Sequence, residues 1–308
     1  AYLSIAALAR LAADSVSQDR WRGNGRDTLV TYGGGLVNDS VTAYGHLPWR
    51  VLDEINVQSG SLLTARPGAR LGFCDTCLFR TDYGGRVSLR GSATAHVLLT
   101  ASDTTRGWLG LTVIGSARDT SRVVNTIVEY GSSDRTYSVW VLNPAAVFID
   151  STIIRRCRRG ALLFNDYGTA PATIQRSLIE DCHGGDPFDP FAVVIYSGTI
   201  RQSVIRRASA SGLYLITGVA DSVTVTGSVL DGFRTGIAGQ YTAAALNLAG
   251  NRRRAARGAG IVRNSWWGAP SGPRVGVLGG VDPGLDFAPA APGPISVPWL
   301  SWWGTPPP

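Results

Sequence analysis

The chain has 308 residues, 44% of them hydrophobic and 17% charged, and a formal net charge of +7. This composition supplies enough apolar residues for a large core, and the 38 glycines indicate many tight turns, as in all-β proteins. No apolar run approaches the roughly 18 residues of a membrane-spanning helix, which excludes such a span within this sequence. All 29 basic residues are arginine, and the positive charge permits an anionic partner without indicating one.

Residues 1–45 form the first predicted unit. The segment AYLSIAALARLAADSVSQDRW predicts a short helix that places Ile5, Leu8 and Leu11 on one face. Such a segment either caps the open end of the fold or docks on a partner. Methionine is absent even from position 1, and Ala1 suits a residue left by signal cleavage, so we expect an exported protein in the periplasm or outside the cell.

The sequence GFCDTCLF places Cys74 and Cys77 in a C-x-x-C pattern. A thioredoxin-type motif requires a βαβ setting, which this strand-rich region does not offer. A zinc site would require two further ligands, and none stands at a suitable spacing, so we expect no bound metal. For an exported protein the pattern predicts a local disulfide that closes a turn.

A repeat of 25 to 26 residues dominates the middle of the chain. Five segments share a small hydroxyl residue followed by two aliphatic ones: NTIVEYG, STIIRRC, RSLIEDC, QSVIRRA and GSVLDGF. The hydroxyl residues are Thr126, Thr152, Ser177, Ser203 and Ser228. One such unit cannot bury its own apolar face, but stacked units bury it against one another. The pattern therefore predicts a parallel β-helix whose rungs lie about 4.8 Å apart.

Stacking of these units predicts a ladder of alternating charge. Three residues after each hydroxyl, the acidic and basic side chains alternate from rung to rung: Glu129, Arg155, Glu180, Arg206 and Asp231. Opposite charges on neighbouring strands contribute roughly 0.2–1 kcal/mol per pair. The basic stretch RRCRR is therefore interpreted as part of the ladder instead of a polyanion site, although Arg158 and Arg159 remain unassigned.

Two further cysteines follow the ladder position in adjacent units. Cys157 and Cys182 occupy the same place in neighbouring rungs, near the Cα separation that a disulfide requires. Parallel Cβ directions, however, suit two small buried thiols in the core stack equally well. The sequence leaves both alternatives open.

The best catalytic candidate is the insertion IEDCHGGDPFDPF, which interrupts the repeat and predicts a loop. It brings together His183, Asp186 and Asp189, which are residue types for acid–base catalysis or Ca²⁺ binding. The two Asp-Pro pairs are equally typical of turns. We expect no cofactor and no enzymatic activity, with this loop as the fallback site for a glycan lyase or hydrolase.

The end of the chain carries the candidate docking residues. The basic loop NRRRAARGAG contains Arg252, Arg253 and Arg254, which are candidates for an acidic partner. The tail APAAPGPISVPWLSWWGTPPP would expose an apolar patch unless it meets its own fold or a partner. Tryptophan is enriched in binding hot spots, so we expect the tail to dock on another protein or a membrane surface through four residues: Trp299, Leu300, Trp302 and Trp303.

Three sequence stretches resemble bacterial right-handed parallel β-helix repeat proteins, which are relatives in fold of the pectate lyases. LPWRVLDEINVQSGSLLTARPGARLGF looks like the start of the first coils, TTRGWLGLTVIGSA like the rung that follows, and NSWWGAPSGP like the motif that closes such helices. The resemblance covers roughly residues 46–300 and implies the architecture, not a reaction. The Asp cluster with a catalytic Arg of pectate lyases is not evident, nor is the paired-Asp and Gly-His-Gly set of polygalacturonases.

These patterns together predict an all-β fold, namely a single-stranded right-handed parallel β-helix. The expected units are an N-terminal cap or docking segment at 1–45, the β-helix at 46–273, and a terminal strand with a Pro/Trp-rich tail at 274–308. For function we expect a non-enzymatic structural subunit that docks on a larger, membrane-associated complex, without nucleic acid as a partner. The alternatives are a β-helix that binds or degrades polysaccharide and a fragment of a cell-surface adhesin.

Overall fold

The computed structural model describes the chain from residue 30 to residue 292, with gaps, and its side chains mainly between residues 41 and 206. The described ranges are 30–32, 35–37, 41–45, 48–115, 120–132, 137–142, 146–165, 172–183, 191–196, 198–206, 211–221, 224–226, 235–244, 254–263, 271, 280–281, 286–287 and 290–292. Within these ranges the structure contains strands and turns and no helix.

The first strands are β1 (Val30–Tyr32), β2 (Gly35–Val37), β3 (Val41–Ala43), β4 (Trp49–Val51), β5 (Ile55–Val57), β6 (Leu62–Ala65), β7 (Arg70–Phe73), β8 (Leu78–Thr81), β9 (Arg86–Arg90) and β10 (Val97–Ala101). The central strands are β11 (Gly110–Ile114), β12 (Ser121–Val124), β13 (Thr126–Glu129), β14 (Tyr137–Leu142), β15 (Val147–Asp150), β16 (Ile153–Arg155), β17 (Gly160–Asn165), β18 (Ala172–Gln175) and β19 (Leu178–Glu180). The last strands are β20 (Phe191–Ile195), β21 (Gly198–Arg201), β22 (Val204–Arg206), β23 (Ser211–Asp221), β24 (Thr224–Thr226), β25 (Thr235–Ala244), β26 (Arg254–Arg263), β27 (Gly280–Val281) and β28 (Asp286–Phe287).

These strands stack into two parallel sheets that wind as a β-solenoid, which confirms the predicted all-β fold. Sheet 1 has nine strands in the order β1-β4-β7-β10-β13-β16-β19-β22-β24, and sheet 2 contains the other nineteen. Each strand pairs with the equivalent strand one coil away. Because each coil returns to the same place, residues about 25 apart in sequence become hydrogen-bonded neighbours.

The core is built from columns of aliphatic side chains that point into the solenoid. In sheet 1, Val128, Ile154, Ile179 and Ile205 occupy one register position in four successive strands. All four are buried in the main core cluster. Burying a side chain of this size stabilises the fold by roughly 1.5–3 kcal/mol relative to leaving it exposed.

The corners on either side of sheet 1 need left-handed backbone. Before sheet 1, the φ angles are 45° to 48° at four residues, namely Asn125, Ser151, Arg176 and Gln202. After sheet 1, they are 54° to 58° at three residues, namely Tyr130, Arg156 and Asp181. None of these residues is glycine, so the backbone conformation is held by the surrounding structure and not by residue type. The repeat anchors follow directly after the first set of corners.

The anchor hydroxyls of the repeat join one coil to the next at these corners. Ser177 Oγ donates to the Gln175 carbonyl at 2.7 Å and accepts from the Thr152 backbone N–H at 3.3 Å. Ser203 Oγ in turn accepts from the Ser177 N–H at 3.2 Å. Thr152, Ser177 and Ser203 are fully buried. A small hydroxyl residue recurs here because it satisfies a buried amide of the neighbouring coil.

We expect Ser177→Ala to lower the free energy of unfolding by about 1–3 kcal/mol, because it leaves the buried Thr152 N–H without its acceptor. Ser177→Thr is the matched control, since threonine fills the same position at 152 and retains the hydroxyl. Urea denaturation followed by circular dichroism measures both variants. An unchanged midpoint for Ser177→Ala would show that the hydroxyl column does not stabilise the stack.

The N-terminal boundary differs from the expected one. The strands β1, β2 and β3 lie within the segment 1–45 that was assigned to a cap, and they pair with β4, β5 and β6. The stacked sheets therefore begin by Val30, upstream of the motif that resembles the first coils. The helix expected near the N-terminus lies outside the described residues, as do most of the closing motif and the tail.

Candidate functional site

The charge column lies on the outer face of sheet 1. Glu129, Arg155, Glu180 and Arg206 occupy one register position in four successive strands. Arg155 Nε donates to Glu129 Oε2 at 2.9 Å, and Arg206 Nε donates to Glu180 Oε2 at 2.9 Å. The last member of the expected ladder, Asp231, lies outside the described residues.

These paired charges are buried although they point away from the core. The side chains of Glu129, Arg155 and Glu180 are 10%, 7% and 3% exposed. Glu129 also accepts from Thr100 Oγ1 at 3.1 Å. A buried carboxylate needs a cation and further hydrogen bonds to offset its desolvation, and Glu129 has both.

A second charged column, which the repeat pattern did not predict, runs along the corner next to sheet 1. Asp150 accepts from Arg176 Nε at 2.8 Å and forms a second contact with the same guanidinium. One register step along, Arg201 Nε donates to Gln175 Oε1 at 2.9 Å. The hydrogen bond that Arg176 donates to Asp150 raises the pKa of Arg176. The repeat does place polar residues two before the anchor at 150, 175 and 201, but Arg176 stands one position later and so falls outside that column.

The other arginines of the basic stretch have varied surroundings. Arg156 Nη1 donates to the Tyr130 hydroxyl at 2.8 Å and its guanidinium lies over the Tyr130 ring. Arg158 and Arg159 are exposed, and their backbone amides bind the Gly131 carbonyl and the Ser132 hydroxyl respectively. Their backbone is thus fixed in the turn after sheet 1, while their side chains point outward.

The structure describes only one of the three residues of the fallback catalytic site. His183 is exposed, and its backbone N–H donates to the Cys157 carbonyl at 3.3 Å. Asp186 and Asp189 lie outside the described residues, so their distance to His183 stays untested. In the parts of the chain that the structure describes, no cluster of three or more His, Cys, Asp or Glu residues could hold a metal ion.

The docking candidates at the end of the chain are also largely outside the described residues. Arg254 begins β26, but its side chain is not described, and Arg252 and Arg253 precede the described range. The tail residues Trp299, Leu300, Trp302 and Trp303 all lie beyond residue 292. The part of the chain that the structure describes contains no helix that is long and apolar enough to cross a membrane.

The four cysteines divide into one disulfide and two thiols. Cys74 and Cys77 are bonded, with their Cα atoms 5.0 Å apart, and the bond closes the turn between β7 and β8. Cys157 and Cys182 are free and buried, so the disulfide alternative for this pair is not formed. Both point into the core from neighbouring coils, and Cys182 Sγ contacts the Glu180 carbonyl at 3.2 Å. Burial raises the pKa of Cys182 well above its usual range.

We expect the two free thiols to resist alkylation in the folded protein, because burial suppresses the thiolate that reacts. Iodoacetamide at pH 8 should label neither Cys157 nor Cys182 under non-reducing native conditions, and both in concentrated guanidinium chloride. Intact-mass spectrometry counts the labels, and the unfolded sample is the control. Rapid labelling of the native chain would contradict the buried placement.

An aromatic cluster covers part of the outer face of sheet 2. Trp140, Leu163 and Val194 occupy one register position in β14, β17 and β20. They pack with three further aromatic side chains, namely Tyr137, Phe191 and Tyr196. The Trp140 indole N–H is buried and has no acceptor among the described residues. Tyr214 continues the same register position in β23, although its side chain is not described.

No protein-family model, curated protein or solved structure matches this chain. The class of the protein therefore follows from its architecture, a parallel β-solenoid built from two stacked parallel sheets. The resemblance to bacterial β-helix repeat proteins agrees with this architecture at the level of the fold.

Proposed function

We propose that this protein is a non-enzymatic structural subunit, a rigid β-solenoid that docks on a larger exported assembly through its ends and its Trp-rich tail. The observation that carries the proposal is the internal pairing of charge. Charged residues that the repeat brings together from neighbouring coils bind one another: Glu129 with Arg155, Asp150 with Arg176, and Glu180 with Arg206.

Internal pairing favours a structural role because a catalytic carboxylate must reach a substrate. Glu129 and Glu180 are held by arginines and are almost entirely buried. Their hydrogen bonds join successive coils, so they stiffen the solenoid along its axis. A stiff rod with a fixed spacing between its coils suits a protein that positions the other components of an assembly. The disulfide between Cys74 and Cys77 agrees with an oxidising compartment.

The proposed docking residues are the tryptophans of the tail, with the arginines at 252–254 as a second contact. Tryptophan and arginine dominate the energetics of protein interfaces because they bury large areas and make directional contacts. A partner surface with apolar pockets and acidic groups at their rim fits both sets. The tail also suits the interface of a membrane, where tryptophan is enriched.

Purification from the native source under mild conditions tests this function. We expect a complex of defined mass and fixed stoichiometry by size-exclusion chromatography with light scattering. The triple variant Trp299→Ala/Trp302→Ala/Trp303→Ala should lose the complex, whereas Tyr83→Ala, which removes a 63% exposed aromatic residue elsewhere, should retain it. A chain that runs as a free monomer in every preparation would rule out the structural-subunit role.

The second candidate function is polysaccharide binding, favoured by the outer aromatic cluster around Trp140. Three half-buried aromatic side chains of this cluster, those of Trp140, Phe191 and Tyr196, would give a platform for sugar rings. Isothermal titration with an acidic polysaccharide tests it, with Trp140→Ala as the variant. Ca²⁺-dependent cleavage that Asp186→Ala or Asp189→Ala abolishes would instead establish an enzyme and overturn the preferred proposal.

A further inference from the structure

Four arginines lie together at the N-terminal coils of the solenoid, on sheet 1 and on the corner that leads into it. Arg50 lies in β4, and Arg70 begins β7. Arg66 follows β6 directly, and Arg90 ends β9. All four side chains are exposed. We refer to Arg50, Arg66, Arg70 and Arg90 as the basic surface.

Two of these arginines stack on each other at the corner. Ala65 pairs with Leu89 in the parallel register, so Arg66 and Arg90 lie one step further along in neighbouring coils. Neighbouring strands lie about 4.8 Å apart, and like charges directly opposite each other destabilise a sheet. An anion that binds between the two guanidinium groups would offset this repulsion.

The other two arginines lie beside this pair on the outer face of sheet 1. The Ala69 N–H donates to the Arg66 carbonyl at 3.0 Å, which closes a tight turn and keeps Arg70 close to Arg66. Arg50 pairs with Gly72, which stands two positions after Arg70 in β7, so Arg50 and Arg70 are diagonal neighbours. The parallel register thus gathers the four arginines into one cluster.

The basic surface lacks the internal pairing that neutralises charges in later coils. None of its four side chains forms an ion pair or a hydrogen bond with a described residue. In the ladder, by contrast, Arg155 Nε lies 2.9 Å from Glu129 Oε2. The register position of the ladder reaches Arg50 through Thr100 and Gly72, which carry no charge. Arg50 therefore has no carboxylate beside it in that column.

The acidic residues of the same coils lie at the opposite corner of sheet 1. Each of the strands β4, β7 and β10 is followed two residues later by an aspartate, namely Asp53, Asp75 and Asp103. Arg106 binds Asp75 at 3.1 Å and Asp103 at 3.7 Å from their own corner. Arg66 precedes β7, at the other end of that strand. The width of sheet 1 therefore separates the two groups of charge, and the basic surface is available to an external anion.

The anion that fits this surface best is a carboxylate-rich polypeptide. Guanidinium groups bind carboxylates through paired, charge-assisted hydrogen bonds. Sugar rings and unpaired bases, in contrast, bind largely by stacking on aromatic rings. Among the described residues only Tyr83 carries a large exposed aromatic side chain, and it lies in the turn between β8 and β9 of sheet 2.

We infer that the basic surface is a docking site for an acidic polypeptide segment of a partner protein. The Asp and Glu side chains of that segment bind the four arginines, with one carboxylate between Arg66 and Arg90. The inference rests on the proposed function in one respect, namely that the partner is a protein, and it adds a docking surface that is independent of the tail. Because the arginines are exposed, the attraction weakens as the ionic strength rises.

Fluorescence anisotropy with a fluorescein-labelled oligoglutamate peptide tests the inference on the full chain. The variant Arg66→Gln/Arg70→Gln/Arg90→Gln should weaken binding about fivefold or more, because it removes three contacts with carboxylates. Circular dichroism checks that the variant folds, and Arg90→Gln alone replaces the triple change if it does not.

The matched control is the variant Arg122→Gln/Arg158→Gln/Arg159→Gln. It removes the same net charge from three exposed arginines that lie elsewhere on the solenoid. We expect it to change the affinity for the peptide less than about twofold, since exposed charges far from a ligand are screened by salt.

Three outcomes would overturn the inference. Equal losses of affinity in the two triple variants would show that only the net charge of the protein attracts the peptide. No binding of the peptide at low salt would show that the surface takes no acidic polypeptide. Tighter binding of hyaluronate or of a single-stranded oligonucleotide, lost when the arginines of the basic surface are replaced, would assign the surface to a polysaccharide or a nucleic acid. The proposed function is tested separately in the native source, because peptide binding is measured on the isolated chain.

Discussion

Replacing Arg155 by methionine is expected to destabilise the protein by about 3–5 kcal/mol, the cost of leaving a buried carboxylate without its cation. Arg155 Nε lies 2.9 Å from Glu129 Oε2, and both side chains are at most 10% exposed. The Glu129 carboxylate then keeps only the Thr100 hydroxyl and the more distant Arg156, whose Nη1 lies 4.0 Å from Oε2. Urea denaturation, followed by circular dichroism, measures the change in the free energy of unfolding.

Two control variants separate the effect of breaking the ion pair from the effect of losing side-chain volume. Glu129→Gln/Arg155→Met removes both charges and should recover most of the lost stability, because a neutral pair needs no counter-charge. Arg106→Ala breaks an ion pair with Asp75 whose arginine is 69% exposed, and should change the stability little. If Arg155→Met behaved like Arg106→Ala, the ladder would be a surface feature and the argument for a structural role would fail.

Trp108→Ala is expected to have a comparable effect, about 3–5 kcal/mol, because it opens a large cavity in the core. Trp108 is fully buried, and its ring stacks on Phe73 with centroids 4.2 Å apart. Its indole N–H also donates to the Glu129 carbonyl at 2.9 Å, so the change loosens the strand that carries the first carboxylate of the ladder.

Trp108→Phe is the matched control, since it keeps an aromatic ring against Phe73 and loses only the indole donor. We expect it to cost less than half as much as Trp108→Ala, measured by the same urea titration. Thermal unfolding of Trp108→Ala should also begin at a lower temperature. Equal losses for the two variants would place the whole effect in the hydrogen bond to Glu129 instead of the cavity.

The two unfolding experiments also bear on the resemblance to β-helix repeat proteins. Trp108 lies in one of the three stretches that carry it, and the structure gives that residue a packing role. A motif that recurs for packing predicts architecture well and chemistry poorly. This explains why the fold followed from the sequence while the function remains a proposal.

The candidate sites were predictable to different degrees. The alternation of Glu129, Arg155, Glu180 and Arg206 was readable because they share one position in a regular repeat, and the structure brings them into one column. The contact between Asp150 and Arg176 was not, because its partners occupy different positions of the repeat and meet across a corner. Spacing alone identifies neighbours in a column but not diagonal contacts.

The sequence by itself determined the stacking of coils, because a unit of 25 to 26 residues with a hydroxyl anchor and two aliphatic residues can bury its apolar face only against its own copies. It also determined which residues share a column, since equal spacing fixes the register. Tertiary structure alone decided which face each column takes, that Cys157 and Cys182 stay free, and that the aliphatic side chains at positions 127, 153, 178 and 204 beside the ladder are buried. These outcomes depend on side-chain directions at corners and on contacts between distant segments, which no local pattern encodes.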